Sequence, residues 1–483
     1  MTCPVVAGVS AAAARRAGAT AIVGHGCSIT YRQLWDDVLA WRVRLGGDFP
    51  PNTIVAVPTM GSVDLPAAFL GIRAAGLVPL LVDTLLPRHR RDAFMAAARP
   101  VAVLNPAGRS IEPLDESSPH VLDPAAGYVV FSSGTEGPPK GIVGSSAGLM
   151  HFLDWELRTL ALGEHSRVAL LTSPSFDVVL RELLLALVAG ALLHVAEPRV
   201  RTDPAQILPW LADEGVDVVH PVPSLTTRWV SATPGVRVES LRWSLFAGEP
   251  LHARHVARWR EVAPESAVLN LYGPSETTLA KFWHRVEPVP RPGIQPVGKP
   301  LPGTVLRQVR LPGPGDVFRV EIDTSDGSLG YLPDTAGAEE RARLVRRDGR
   351  TRFTTQDRAR LTPDALLLVE GRLDSLVKRR GVLFDTARLV ALALDVPEVE
   401  AAYALQIRAD TTGDIVLAVA GPVSQAILTR RLRRELGQDM PDEVVVVKAL
   451  PLLPHGKVDR RRLLEMLESR PLGRPSSQLT ITR

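Results

Sequence analysis

The chain is poor in cysteine and aromatics and has no long apolar run, and each shortage removes a class of protein. Two cysteines among 483 residues, Cys3 and Cys27, build neither a disulfide framework nor a four-thiolate zinc site, which suits a reducing cytoplasm. No uninterrupted apolar stretch approaches the roughly 20 residues that span a bilayer, so no membrane segment is expected. The opening MTCPVVAGVSAAAARRAGA has no basic residues ahead of its apolar run, and Arg15 and Arg16 interrupt it, unlike a secretory leader. The formal charge is only +4, and no dense basic stripe with interleaved aromatics suggests nucleic acid as a partner. What is present, 45% hydrophobic and 22% charged residues, is the composition of a folded globular protein. Its length suggests about two to four domains or subdomains.

The most informative stretch is YVVFSSGTEGPPKGIV, Tyr128 to Val143. Tyr128 to Phe131 are β-branched or aromatic, as a buried strand prefers, and they run into Ser132, Ser133, Gly134, Thr135, Glu136 and Gly137. Small hydroxyl residues and glycines let successive N–H groups point into one concavity, and Lys140 adds a mobile positive charge, so the loop can hold a polyphosphate. It is not the common P-loop, because Lys140 lies between Pro139 and Gly141 rather than entering a helix. Read alone, an ordinary Gly/Pro turn after a core strand accounts for the same letters.

Around this stretch the pattern alternates short apolar runs with helical segments, the mark of α/β layering. Helices are expected at 32–45, from Leu65, at 88–98, at 146–161, over VVLRELLLALVAG up to Gly190, and around 207–211. Strands are expected at 53–58, 78–82, 101–104, 168–171, over LLHVA, at 216–219 and at 243–246, with a polar loop over 106–124. After Pro288 the texture turns to short Pro- and Gly-rich strands without a long helix. Charged strands and helices at 425–435 and 460–467 follow Gly371, with a boundary near Asp374 and a frayed tail at the end.

A second strand-into-turn segment, NLYGPSETT, offers Tyr272 as an aromatic face, Glu276 as a hard oxygen ligand for Mg²⁺ and the hydroxyls of Ser275 and Thr277. A Gly-Pro turn ahead of a helix-starting Glu explains it equally well. Asp357, in TTQD, can accept from two ribose hydroxyls or serve as a local cap.

Taken together, YVVFSSGTEGPPKGIV, NLYGPSETT, TTQD, GRLDSLVKRRG and PLLPHGKVDRR resemble, in order and separation, the signature motifs of the adenylate-forming superfamily. Within it they are most similar to the amino-acid adenylation domains of nonribosomal peptide assembly lines. The resemblance implies a large N-terminal layered α/β core with a small distorted β-barrel subdomain, residues 1–373, and a small mobile C-terminal α+β domain, residues 374–469, ahead of a tail at 470–483. It implies ATP and Mg²⁺ as cofactors, with Ser132, Ser133, Gly134, Thr135, Gly137 and Lys140 around the β- and γ-phosphates. Tyr272, Gly273, Ser275, Gly248 and Glu249 would lie by the nucleotide, Asp357 and Arg372 would hold the ribose, and Glu276 would face the metal. Asp374 would be the hinge, and Lys457 would reach from the small domain to the substrate carboxylate and the α-phosphate. Glu136, Gln356, Leu376 and Asp385 depart from the family's pattern, but none of these changes removes a residue that carries charge to the reaction.

In the amino-acid branch an Asp pairs with the substrate ammonium, and Asp177 occupies that place; its alternative role is to cap the helix that follows. The remaining pocket positions fall on Val178, Arg181, Ser224, Leu245, Ala247, Leu271, Leu279 and Ala280. Arg181, four residues after Asp177, shares its helix face. An arginine among apolar neighbours implies either a substrate with a side-chain acceptor or pairing with a protein carboxylate, and the sequence leaves both open. No carrier-domain signature follows Lys457, so the carrier protein is expected to be a separate chain, its thiol received near Gly381 after rotation about Asp374. Two other readings stand beside this one: an acyl-CoA or aryl-acid ligase of the same superfamily, and a catalytically silent nucleotide-binding relative.

Overall fold

The structure, a computed structural model, describes residues 3–116, 118–131, 139–312, 315–379, 382–407, 414–437, 440–453 and 458–469. Two large sheets organise it. In the first, the strands Ala267–Tyr272, Trp243–Phe246, Val218–Val219, Arg167–Leu170, Leu192–Val195 and Thr20–Gly24 lie side by side and run parallel, with antiparallel strands at both edges. In the second, Ala126–Phe131, Val78–Asp83, Ile54–Thr59 and Ala102–Asn105 run parallel, again with antiparallel edges.

Alternation along the strands sorts side chains into layers. Val168 and Leu170 join one core while Ala169 between them joins another, and Leu269 and Leu271 part from Val268 in the same way. The shared inner core gathers residues of both sheets around the helices Pro4–Arg15, Tyr31–Leu45, Leu65–Ala74, Ser146–Leu160 and Val178–Ala189. Pro204–Asp213, Pro223–Ala232 and Ala253–Val262 cover the outer face of the first sheet, and Arg88–Ala98 covers that of the second through Phe94.

Most of these elements follow local signals. Tyr31–Leu45 starts with a capping box, in which Gln33 N donates to Thr30 Oγ1 at 3.3 Å and Thr30 N to Gln33 Oε1 at 2.8 Å, and it buries Leu34, Val38, Trp41 and Leu45 as their spacing predicts. Val178–Ala189 ends on Gly190 at φ 77°, a left-handed cap that glycine adopts without strain. Other elements were not anticipated. Pro4–Arg15, which the sequence marked only as unlike a leader, buries Val5, Val6, Val9, Ala12 and Ala13 in the inner core. The expected polar loop at 106–124 contains an exposed edge strand, Ser110–Pro113. Pro223–Ala232, Ala253–Val262 and Thr386–Leu394 are further helices without an expectation.

The Pro- and Gly-rich region forms an antiparallel sheet of five strands, in which Phe318–Thr324 and Arg350–Leu361 are central. Among the described residues no strand pairing closes it into the expected barrel. Beyond it, the strands Ala401–Ile407, Asp414–Ala420 and Glu443–Val447 carry a core of their own, with Thr386–Leu394 and Gln425–Leu436 on one face and Arg460–Glu468 on the other. Arg254 bridges to this region by donating to the carbonyls of Val399 and Glu400. Arg358 pairs with Asp385, whose other oxygen caps the helix Thr386–Leu394.

The helices Tyr31–Leu45 and Leu65–Ala74 meet closely at Gly71, where an added Cβ would stand 2.3 Å from the Trp41 Cβ. Gly71→Ala is therefore expected to lower stability by about 1–3 kcal/mol through overpacking. Chemical denaturation measures it, with Gly76→Ala, where φ is 80° and the space is open, separating backbone strain from crowding.

Candidate functional site

The parallel strands deliver their carboxyl ends to one rim. Asp83 closes Val78–Asp83, Thr172 and Ser173 follow Arg167–Leu170, His220 follows Val218–Val219, and Ala247 follows Trp243–Phe246; all line one cavity of about 320 Å³. The open edge of a doubly wound sheet leaves such a crevice because the helices turn away from it on both sides. Val178 and Arg181 line it from the start of Val178–Ala189, and Leu452 and Leu453 close it from the C-terminal region.

Burial makes charge the dominant issue here. Arg181 is 2% exposed, and its Nε and Nη2 are buried without a hydrogen-bond partner. Burial pushes its guanidinium below the ordinary value, opposed by Glu156, Glu182 and Asp177 nearby. Of those glutamates Glu182 is engaged through both oxygens and Glu156 through one, its Oε2 being buried without a hydrogen-bond partner. Glu182 accepts from Leu171 N, Thr172 N and Thr172 Oγ1 at 2.7–2.9 Å, and Glu156 lies 3.0 Å from His220 Nε2, both side chains fully buried. Arg201 donates from Nε to Leu171 O at 3.2 Å and lies 3.7 Å from Asp83, while its Nη1 is buried and unpartnered. Asp83 also accepts from Ser173 Oγ at 2.5 Å.

The expected pocket positions divide. Val178, Arg181 and Ala247 line the cavity; Leu245, Leu271, Leu279 and Ala280 belong to the inner core. Ser224 donates its backbone N–H to Glu249 at 3.1 Å, joining an expected pocket residue to an expected nucleotide residue. Asp177 is buried between the lining residues Phe176 and Val178 and makes no cap hydrogen bond, so capping is not its role.

The expected ribose residues come together from distant parts of the chain. Tyr272 Oη donates to Asp357 Oδ2 at 2.5 Å, and Arg372 lies 3.8 Å from Asp357 while gripping both oxygens of Asp374. The Tyr272 ring packs beside Phe282, with centroids 6.0 Å apart. Glu276, on the short 3-10 turn Ser275–Thr277, accepts from Tyr331 Oη at 3.0 Å. Burial raises its carboxyl above the ordinary value, and the Tyr331 hydrogen bond and Lys140 work against that. Lys140 pairs with Glu340 at 2.9 Å. Thr278 and Leu279 both hold positive φ, 65° and 56°, so the turn after Glu276 is strained. Gly273 has a steric reason of its own: a Cβ there would stand 2.3 Å from Leu279 O. Gly248 adopts φ 91° beside open space. Ser132, Ser133, Gly134, Thr135, Glu136, Gly137, Gly381 and Lys457 lie outside the described residues.

Sequence reasoning missed Asp83, Ser173, Arg201, His220 and Glu156. For Asp83 and His220 a signal existed: each ends an apolar parallel-strand run at its carboxyl side. A single carboxylate such as Glu276 suits Mg²⁺, which keeps waters and phosphate oxygens for its other positions. The described residues hold no group of three or more His, Cys, Asp or Glu that could bind a metal, and no helix long and apolar enough to cross a membrane.

The family model described as AMP-binding enzyme matches residues 9–127 and 108–313, more than half of the chain. A dimodular nonribosomal peptide synthase of Bacillus subtilis (strain 168) is 28% identical over 90% of this chain, which spans only 20% of that protein's length. Novobiocin biosynthesis protein H of Streptomyces niveus is 29% identical over 93% of this chain and 80% of its own. The crystal structure of IdnL7 superposes with a TM-score of 0.80 at 26% identity, covering 97% of this chain and 99% of that one.

The Glu156–His220 pair yields a stability test. His220→Ala leaves the Glu156 carboxylate buried alone and is expected to cost about 3–5 kcal/mol in chemical denaturation, whereas His220→Gln keeps a donor and costs clearly less.

Proposed function

The chain belongs to the AMP-binding enzyme family, and from that premise we propose that it is a ligase that activates an amino acid as aminoacyl-AMP and passes it to the phosphopantetheine thiol of a separate carrier protein. The observation that carries this reading is the cavity itself. The helix that begins at Asp177 supplies its wall, and Leu452 and Leu453, which lead into the HGKVD segment, supply its lid. Leu452, itself a lining residue, pairs with Val458, the residue after Lys457.

In this reading Asp357 and Arg372 take the ribose, Tyr272 orients Asp357 through its hydroxyl, and the 132–140 segment takes the β- and γ-phosphates. Glu276 would hold Mg²⁺, which when bound would neutralise charge on the phosphates. Asp177 takes the substrate ammonium. The substrate carboxylate is already ionised near pH 7, so no general base is needed. One of its oxygens bonds to the α-phosphorus as the bond to pyrophosphate breaks, and pyrophosphate carries away the electron pair. The carrier's thiolate then bonds to the acyl carbon and AMP leaves.

The chief barrier is repulsion between the two anions. A lysine about 4 Å from a unit charge is worth about 4 kcal/mol at an effective dielectric of about 20, or about 10³-fold in rate. Residues 374–469 act as the lid that brings Lys457 in, turning at Asp374. The grip of Arg372 on Asp374 and its proximity to Asp357 support a link between nucleotide site and hinge.

Amino-acid-dependent exchange of pyrophosphate into ATP tests the reading. Exchange is expected with an amino acid and absent with fatty or aryl acids; the reverse pattern contradicts the assignment. Lys457→Ala is expected to reduce exchange about 10³-fold with ATP binding retained, whereas a surface lysine would leave the rate within about twofold.

A further inference from the structure

Resting on the adenylation reading above, we propose that the amino acid carries a second carboxylate in its side chain and that Arg181 receives it, making Arg181 the specificity-determining residue of the pocket. Arg181 lines the cavity, is 2% exposed, and buries Nε and Nη2 without a partner. Among the described residues no carboxylate lies within the 4.0 Å of an ion pair from its nitrogens. The acids around it have other contacts: Glu182 is held by two backbone N–H groups and the Thr172 hydroxyl, and Glu156 by His220 through one oxygen, its Oε2 being buried without a partner. The sequence left open whether Arg181 pairs with the protein or with the substrate, and the geometry favours the substrate.

A second cation points the same way. Arg201 lines the same cavity from a different helix, and its Nη1 is also buried without a partner. Two arginines that line one cavity and each keep an N–H donor without a partner can receive a carboxylate, which accepts from a guanidinium fork in two parallel bonds. An alkyl side chain in the same space would leave those donors desolvated and unsatisfied.

Spacing limits the size of the substrate. Side chains at i and i+4 of a helix have Cβ atoms about 5–6 Å apart, so an ammonium at Asp177 and an acid at Arg181 suit a short chain between the two groups. Aspartate, glutamate and 3-aminopentanedioate meet that requirement, the last with a β-amino group. In each, one carboxylate stays free for the α-phosphorus.

The test is pyrophosphate exchange with aspartate, glutamate and 3-aminopentanedioate beside asparagine, glutamine and leucine, on the wild-type chain, Arg181→Leu and Arg181→Lys. A site built around a polar partner rejects the analogue lacking it strongly, so a wild-type kcat/KM at least about 10²-fold higher for one dicarboxylate than for its amide is expected. Arg181→Leu should lose that preference and accept leucine, while Arg181→Lys, retaining the charge, should keep part of it. Wild-type preference for a neutral amino acid overturns the dicarboxylate proposal and leaves adenylation standing. So does an unchanged preference in Arg181→Leu. If Arg181→Leu does not fold, as read by thermal unfolding, the wild-type panel and Arg181→Lys decide the matter. No exchange with any amino acid overturns the adenylation reading and this proposal together.

Discussion

A charge cannot be taken out of water without an answering charge, and in this molecule that constraint converges on Arg181. Its side chain lines a cavity, near one acid held by backbone N–H groups and a hydroxyl and another held through one oxygen by a histidine. Leaving a guanidinium so placed without a bonded partner costs stability, and a carboxylate bound in the cavity would answer it. The cavity's other polar groups obey the same logic on a smaller scale: Asp83 is satisfied by Ser173 and the Leu85 N–H, and Arg201 only in part.

The architecture explains why these groups meet. Strands that run parallel all end on the same side, so residues far apart in sequence arrive together: Asp83 from one sheet, Thr172, His220 and Ala247 from the other. The long helix Val178–Ala189 is buried on nearly every side, which fixes the directions of Val178 and Arg181. A second gathering occurs beside it, where Tyr272, Asp357, Arg372 and Asp374 form a chain of contacts from a strand end to the small C-terminal region. Arg254 and Arg358 hold that region against the core by polar contacts to Val399, Glu400 and Asp385.

Local features were legible in the sequence because local physics sets them. The helix at 88–98, the cap at Gly190 and the strand Ala126–Phe131 follow from periodicity, glycine and β-branching. Pro4–Arg15 was missed because an alanine-rich apolar run has weak periodicity, and Ser110–Pro113 because an exposed edge strand buries little. The layered α/β class was readable; closure of the antiparallel region was not, since strand pairing at long range leaves no local mark. In the candidate site, the motif residues could be named in advance, whereas Arg201, Glu156 and the pairing of Lys140 with Glu340 depend on contacts between segments far apart in the chain. Arg181 was visible as an oddity, but only its surroundings separate a protein-paired cation from one awaiting a ligand.

The most direct examination of this account is a crystal structure of the chain with ATP and a dicarboxylic amino acid. The account predicts the ammonium at Asp177, one carboxylate toward the nucleotide and the other in bidentate contact with Arg181. Electron density showing Arg181 bonded instead to Glu156 or Glu182, with the side-chain acid directed to solvent, would contradict it.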